Sequence, residues 1–135
     1  METLTYQSLK ELIIEPKNHS PKIILDKYNN KFEISGISIP DNVNAIFIPV
    51  LKWLEIYKEM PNTCTEFNFR LEFLCQKSSE MISKIFEILQ DIYNNGNEVI
   101  IKWYYHIDDD DMRIEGRHFT NNFSVPIELI NYTTK

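Results

Sequence analysis

The feature that most constrains the fold is a strand-like segment that passes into a helix-like segment almost without a loop. In the strand-like segment apolar and polar residues alternate, which indicates one buried face. Its apolar positions are Phe67, Phe69, Leu71 and Phe73. The helix-like segment repeats apolar residues at helical spacing, at Ile82, Ile85, Phe86, Leu89, Ile92 and Tyr93. Residues 99–105 then form a mostly apolar segment, which predicts a central strand covered on both faces and a right-handed parallel βαβ crossover.

Shorter segments on either side of this unit extend the predicted sheet. Residues 22–26 and 32–35 flank a turn rich in asparagine, so they predict an antiparallel hairpin that Gly36 closes. Residues 12–14 and 126–130 are candidate edge strands. We therefore predict one α/β domain over residues 1–135, with a mixed sheet of about four to six strands and helices packed on it. The first ~20 residues are the least constrained by these patterns.

A second helix is predicted from a long apolar stripe that begins at Val43. Asp41 or Asn42 precedes it as the predicted N-cap. Pro49 lies inside the stripe, so the helix either kinks there or has its main part beginning there. The stripe consists of Val43, Ile46, Phe47, Val50, Leu51, Leu54 and Tyr57.

Charge and composition exclude several classes of function. The 14 basic and 20 acidic residues give a net charge of −6, which argues against non-specific nucleic-acid binding and against docking on anionic membranes. The sequence contains neither a signal-peptide pattern nor an apolar run of the ~20 residues that a membrane span needs. Two cysteines, Cys64 and Cys75, do not make a disulfide framework. We therefore predict reduced thiols and a cytoplasmic location.

The junction between the strand-like and helix-like segments is the first candidate site. It consists of Cys75, Gln76, Lys77, Ser78 and Ser79. A serine here is a natural N-cap for the following helix, and exposed N–H groups at a helix start can bind an anion or a phosphorylated side chain. A catalytic Cys75 is a weaker alternative. Only three glycines occur in the chain, so a glycine-rich phosphate-binding loop is not expected.

An acidic run is the second candidate site. Four consecutive aspartates precede a short predicted helix that ends near His118. They suit three roles: capping that helix at its positive end, contacting a partner protein, or binding Mg²⁺ or Ca²⁺. The last role, as a small metal-binding protein or enzyme, would also use His106 or His118. The run and its neighbour are Asp108, Asp109, Asp110, Asp111 and Met112.

Three segments together resemble the SiaC family of bacterial regulatory phosphoproteins. The first, "FEISGISIPDNVNAIFIPVLKWLEIY", is similar to the family's strand, glycine and Pro-Val-Leu-x-Trp-Leu helix. The second, "FRLEFLCQKSSEMISKIFEIL", is similar to its strand-plus-helix unit. The third, "GNEVIIKWYYHIDDDDMRIEGRHF", is similar to a signature of Val-x-Trp-Tyr-Tyr, an acidic run, Asp-Met and Gly. The match covers nearly the whole chain in order.

The resemblance implies a STAS-like α/β fold and a non-enzymatic signalling adaptor without a cofactor or a metal. Its implied partners are a diguanylate cyclase, a serine/threonine kinase and a PP2C-type phosphatase. The implied docking surfaces are the junction, at Gln76, Lys77, Ser78 and Ser79, and the acidic run with Met112. In the family the kinase phosphorylates a threonine at the junction, and the unphosphorylated form activates the cyclase.

The chain departs from the family pattern at the residue that carries this switch. The position of the family's threonine is occupied by Gln76, which has no hydroxyl group, and Lys77 and Glu80 differ from the pattern as well. Three readings follow. Phosphorylation has moved to Ser78 or Ser79, the protein binds its partner constitutively, or the fold is retained without the circuit.

Overall fold

The protein is described here by a computed structural model that covers residues 9–133. The two ends of the predicted domain lie outside the described residues; they are residues 1–8 and 134–135. Six strands occur in the described part: β1 (Leu12–Ile14), β2 (Lys22–Asp26), β3 (Lys31–Ser38), β4 (Cys64–Leu74), β5 (Glu98–His106) and β6 (Ile127–Tyr132). Three helices accompany them: α1 (Val43–Glu59), α2 (Gln76–Asn94) and α3 (Asp110–Asn122).

The strands form one mixed sheet whose spatial order is the order of the chain. β1, β2 and β3 pair antiparallel, and β3 through β6 pair parallel. Each parallel pair is joined through one of the helices, so the chain makes three successive βαβ units. The predicted mixed sheet, hairpin and crossover are therefore confirmed. No helix of the described chain is long and apolar enough to cross a membrane.

All three helices pack on one face of the sheet. α1 contacts Phe32 of β3 through Trp53, with ring centroids 6.0 Å apart. The Phe86 ring of α2 stacks on a β4 phenylalanine at 5.2 Å, and Phe119 of α3 lies 5.4 Å from Trp103 of β5. A continuous aromatic core results, and it fixes the helix starts relative to the strand ends. The single covered face follows because crossovers of one hand in one direction place every helix on the same side.

The prediction that β5 is covered on both faces was therefore wrong. Val99, Ile101 and Trp103 are buried under the helices, whereas the residues between them are only half-buried. On that uncovered face Tyr104 stacks against the guanidinium of Arg70, 3.7 Å from the ring centre. The apolar run in β5 resembles that of a doubly covered strand, but the strand order leaves no helix for the second face.

Gly36 does not end the hairpin strand as predicted. β3 continues to Ser38, and the register to β4 shifts between Gly36 and Ile37. Gly36 has φ +95°, a backbone conformation that glycine adopts at little cost. The irregularity lets β3 run on beside β4, so that the Ser38 carbonyl accepts a hydrogen bond from the Cys75 N–H at 3.0 Å.

The start of α1 agrees with one of the two predicted caps. The Asn42 side chain accepts a hydrogen bond from the Ala45 N–H at 3.1 Å, which satisfies one of the unpaired donors of the first turn. Pro49 lies within a single continuous helix. α1 therefore begins before the proline and extends past it.

Candidate functional site

The two predicted docking surfaces meet at one edge of the domain. Parallel strands β3, β4 and β5 end at this edge, and helices α1, α2 and α3 begin there. In sheets of this kind the carboxyl ends of the strands are the usual location of binding sites. The junction follows β4 and the acidic run follows β5, so strand pairing alone brings them close together.

The junction is a strand end joined to a helix through a single residue, Cys75. α2 begins at Gln76, and the Cys75 sulfur accepts a hydrogen bond from the Ser78 N–H at 3.4 Å. The predicted N-cap at Ser78 or Ser79 was therefore wrong. The reason is that β4 continues to Leu74 without a loop, so both serines fall inside the first turn and the weak sulfur acceptor occupies the capping position.

Ser78 belongs to the core rather than to the surface. Its side chain is 0% exposed, and its hydroxyl oxygen accepts a hydrogen bond from the Ser38 hydroxyl at 2.9 Å. The Cys75 thiol lies 3.3 Å from the same oxygen. These three side chains tie the end of β3 to the start of α2. Gln76 and Lys77, in contrast, are exposed at the surface of the first turn.

The buried Ser38–Ser78 pair leads to a stability prediction. Replacing Ser78 with alanine leaves the buried Ser38 hydroxyl without this partner, so we expect unfolding to be easier by about 1–3 kcal/mol. The Ser38→Ala/Ser78→Ala double variant should lose less than the sum of the two single variants, because the cost of an unpaired group is then removed. Urea unfolding of the four proteins measures the coupling. Ser83→Ala on the same helix is the matched control, and strictly additive losses would contradict the prediction.

The acidic run is divided among several local contacts. Asp109 is the N-cap of α3, and its carboxylate accepts from the Met112 N–H at 3.0 Å. Asp110 lies 3.6 Å from Arg113, and a carboxylate oxygen of Asp108 lies 4.0 Å from His106. Asp111 stands exposed in the first turn. Part of the run therefore caps the helix, as one of the three predicted roles requires.

Met112 holds α3 against the sheet. Its side chain is buried, and its carbonyl accepts a hydrogen bond from the indole N–H of Trp103 at 2.9 Å. Trp103 is itself fully buried under α3. Met112 thus fixes the position of the acidic first turn, and it reaches the surface only as part of the floor of a groove.

A direct contact joins the junction to helix α3. The Ser79 hydroxyl donates a hydrogen bond to the carboxylate of Glu115 in α3. Beside this contact lies a groove of about 230 Å³ between the end of β4 and the first turns of α3. The groove is lined by Glu72, Phe73, Leu74, Asp109, Asp111, Met112 and Glu115.

Phe73 is the residue of this edge that sequence reasoning placed wrongly. The alternating pattern assigned it to the buried face of β4, but its side chain is 62% exposed. The pairing of β4 with β5 ends at Arg70 and Tyr104, so β4 extends beyond its neighbour and beyond the core. Glu72 and Glu115 were also not singled out, because only the tertiary structure brings them to the groove.

The remaining candidate groups are the cysteine thiols and the predicted metal ligands. Both cysteines are free thiols, and burial, followed by the nearby Glu98 carboxylate, raises the pKa of Cys64, which favours its protonated form. Within residues 9–133 no three histidine, cysteine, aspartate or glutamate side chains are grouped as metal ligands. The alternative metal site at Asp108 to Asp111 with His106 or His118 therefore gains no support from the geometry.

The fold and this edge define a two-layer α/β domain with an exposed aromatic residue and carboxylates at the ends of its parallel strands. A family model described as SiaC family regulatory phosphoprotein matches residues 14–132, and the chain belongs to this family.

Individual relatives come from Pseudomonas aeruginosa. A protein described as uncharacterised is 22% identical over 121 residues, which cover 90% of this chain and 96% of that protein. The crystal structure of apo-SiaC superposes with a TM-score of 0.81 at 23% identity, covering 90% of this chain and 98% of that one. A structure of the diguanylate cyclase SiaD in complex with its activator SiaC contains a chain that matches with a TM-score of 0.84 at 22% identity, covering 90% of this chain and 99% of that one. At these identities the structures show a shared fold.

Proposed function

We propose that this chain is a non-enzymatic signalling adaptor that binds a diguanylate cyclase and raises its activity. Family membership supports a regulatory role, and the relative solved with SiaD is described as the activator of that cyclase. The observation that carries the proposal is the edge at which the exposed Phe73 adjoins the junction and the start of α3. Exposed aromatic side chains of this kind are typical anchors of protein interfaces.

The groups at this edge that could perform chemistry are already engaged in holding the fold. The Cys75 sulfur caps α2, the Ser78 hydroxyl is buried against Ser38, and Asp109 caps α3. Ser79 is bonded to Glu115. These contacts favour a rigid binding surface over a catalytic one.

We further propose that phosphorylation of the junction does not switch this chain off. Gln76 has no hydroxyl, and the Ser78 hydroxyl is buried. A phosphate on Ser79 would replace its hydrogen bond to Glu115 with repulsion between two negative groups, beside the further carboxylate of Asp111. A kinase and a PP2C-type phosphatase of the family type would then lack a favourable target here, and the chain would bind its cyclase constitutively.

One experiment tests both parts of this proposal. The chain is isolated from its native cells, its intact mass and junction peptide are determined, and it is added to the diguanylate cyclases of the same cells. We expect an unphosphorylated junction peptide and faster synthesis of cyclic di-GMP by one of the cyclases. The same protein treated with a phosphatase is the control, and it should stimulate equally.

The two parts of the proposal, cyclase activation and constitutive binding, would be contradicted by different results. A phosphoryl group on Ser79, removed by the phosphatase together with a change in stimulation, contradicts constitutive binding. An unchanged rate for every cyclase, with either form of the protein, contradicts the assignment of the partner.

A further inference from the structure

The groove beside the junction combines an apolar floor with an acidic rim. Phe73, Leu74 and Met112 supply its apolar surface, and Phe73 projects with 62% of its side chain exposed. Apolar surface that remains exposed in a concave site is a typical feature of a docking surface. The groove continues the edge assigned above to partner binding, so the inference below rests on that proposed function.

The charges around this apolar floor are all of one sign. Glu72, Asp109, Asp111 and Glu115 contribute four carboxylates to the lining. Asp109 is satisfied as a helix cap and Glu115 by Ser79. Among residues 9–133, no lysine, arginine or histidine forms an ion pair with any of the four. The occupant that complements this groove therefore carries positive charge.

We propose that the groove binds an arginine side chain of the partner, flanked by apolar residues on an amphipathic helix. A guanidinium group is planar, so it can lie against the exposed ring of Phe73 while its N–H groups donate to Glu72 and Asp111. The flanking apolar side chains then cover Leu74 and the rest of the ring. A second copy of this chain is a poorer occupant, because its net charge of −6 opposes its approach to an acidic groove.

The inference is tested with synthetic helical peptides, so that it does not depend on the identity of the cyclase. One peptide carries leucine and a central arginine at helical spacing, and a matched peptide has glutamate in place of the arginine. Binding is followed by NMR from the backbone amide signals of the isotopically labelled chain. We expect the arginine peptide to shift signals of residues 72–74 and 109–115, with an affinity that falls as salt is added. The glutamate peptide should bind at least about tenfold more weakly.

Paired variants localise the interaction. Glu72→Gln/Asp111→Asn removes two rim charges and should weaken the arginine peptide by about fivefold to tenfold. Glu59→Gln/Glu87→Gln makes the same change in net charge on exposed positions of α1 and α2 and should leave the affinity unchanged. This control separates a local contact from attraction to the overall negative charge.

Any of the following outcomes would contradict the inference. Equal affinity of the two peptides shows that the groove does not select a cation, and equal weakening by both double variants shows that only overall charge matters. Signals of the same residues that shift with the concentration of the chain alone would assign the groove to a second copy. Cyclase stimulation that persists in Glu72→Gln/Asp111→Asn while the peptide fails to bind would show that the cyclase does not dock through this groove, and it would leave the adaptor function intact.

Discussion

Replacing Phe73 with alanine is expected to weaken binding of the partner by about thirtyfold, equivalent to about 2 kcal/mol. The side chain is 62% exposed at the end of β4 and lines the groove beside Met112. Few interface residues have effects of this size, and those that do are usually large side chains that enter a desolvated contact near its centre. Isothermal titration of the chain with the cyclase proposed as its partner measures the loss.

The effect on folding separates this loss from general damage. Because Phe73 lies outside the core, Phe73→Ala should change the free energy of unfolding by less than about 0.5 kcal/mol. Tyr93→Ala is the matched control, since it removes an exposed aromatic side chain at the other end of the same strand–helix unit, in the last turn of α2. Unchanged affinity of Phe73→Ala, or an equal loss with Tyr93→Ala, would place the interface elsewhere.

The second large effect is expected at Gly116, where α3 packs closely against the sheet. A Cβ atom at this position would lie 2.5 Å from Cδ1 of Trp103 and 2.8 Å from Cδ2 of Leu129. Trp103 is fully buried and its indole N–H is bonded to the Met112 carbonyl, so it has little freedom to move. We expect Gly116→Ala to destabilise the fold by about 1–3 kcal/mol, although alanine favours a helix by about 1 kcal/mol over glycine.

A graded series tests the steric origin of this effect. Gly116→Val should cost more than Gly116→Ala, because overpacking grows with volume, and both should lose partner binding as α3 shifts with its carboxylates. Arg117→Ala, at the next and exposed position of α3, should change stability by less than about 0.5 kcal/mol. Denaturant unfolding followed by circular dichroism gives the order. A Gly116→Ala protein as stable as the original would show that the contact can relax.

Patterns within one element were sufficient to predict most of the fold. The alternation in β4, the apolar stripe of α2 and the asparagine-rich turn between β2 and β3 each depend on neighbours in sequence. The side-chain amide of Asn42 likewise caps a helix that starts only one residue later. Periodicity and capping are local properties, so sequence alone could indicate these elements and their parallel connection.

The predictions of burial and capping were wrong where they depend on how one strand or helix ends relative to its neighbours. Phe73 follows the alternation of a buried strand, yet it is exposed because β4 extends past β5. Serine is a typical N-cap residue, yet Ser78 is buried inside the first turn because β4 runs directly into α2. Strand β5 resembles a strand covered on both sides, yet the order of the sheet leaves one of its faces without a helix.

The sequence by itself determined which segments are strands and helices, the β2–β3 hairpin, the parallel connection of β4 to β5, and the absence of a hydroxyl group at Gln76. Only the tertiary structure decided that the end of β4 and the acidic run line one groove beside the junction, and that Glu72 and Glu115 belong to it. The physical reason is the distance along the chain over which the relevant interactions act. Hydrogen bonding and periodic burial act between neighbours in the chain, whereas a groove is made by side chains from distant segments that meet only when strands β4 and β5 lie side by side.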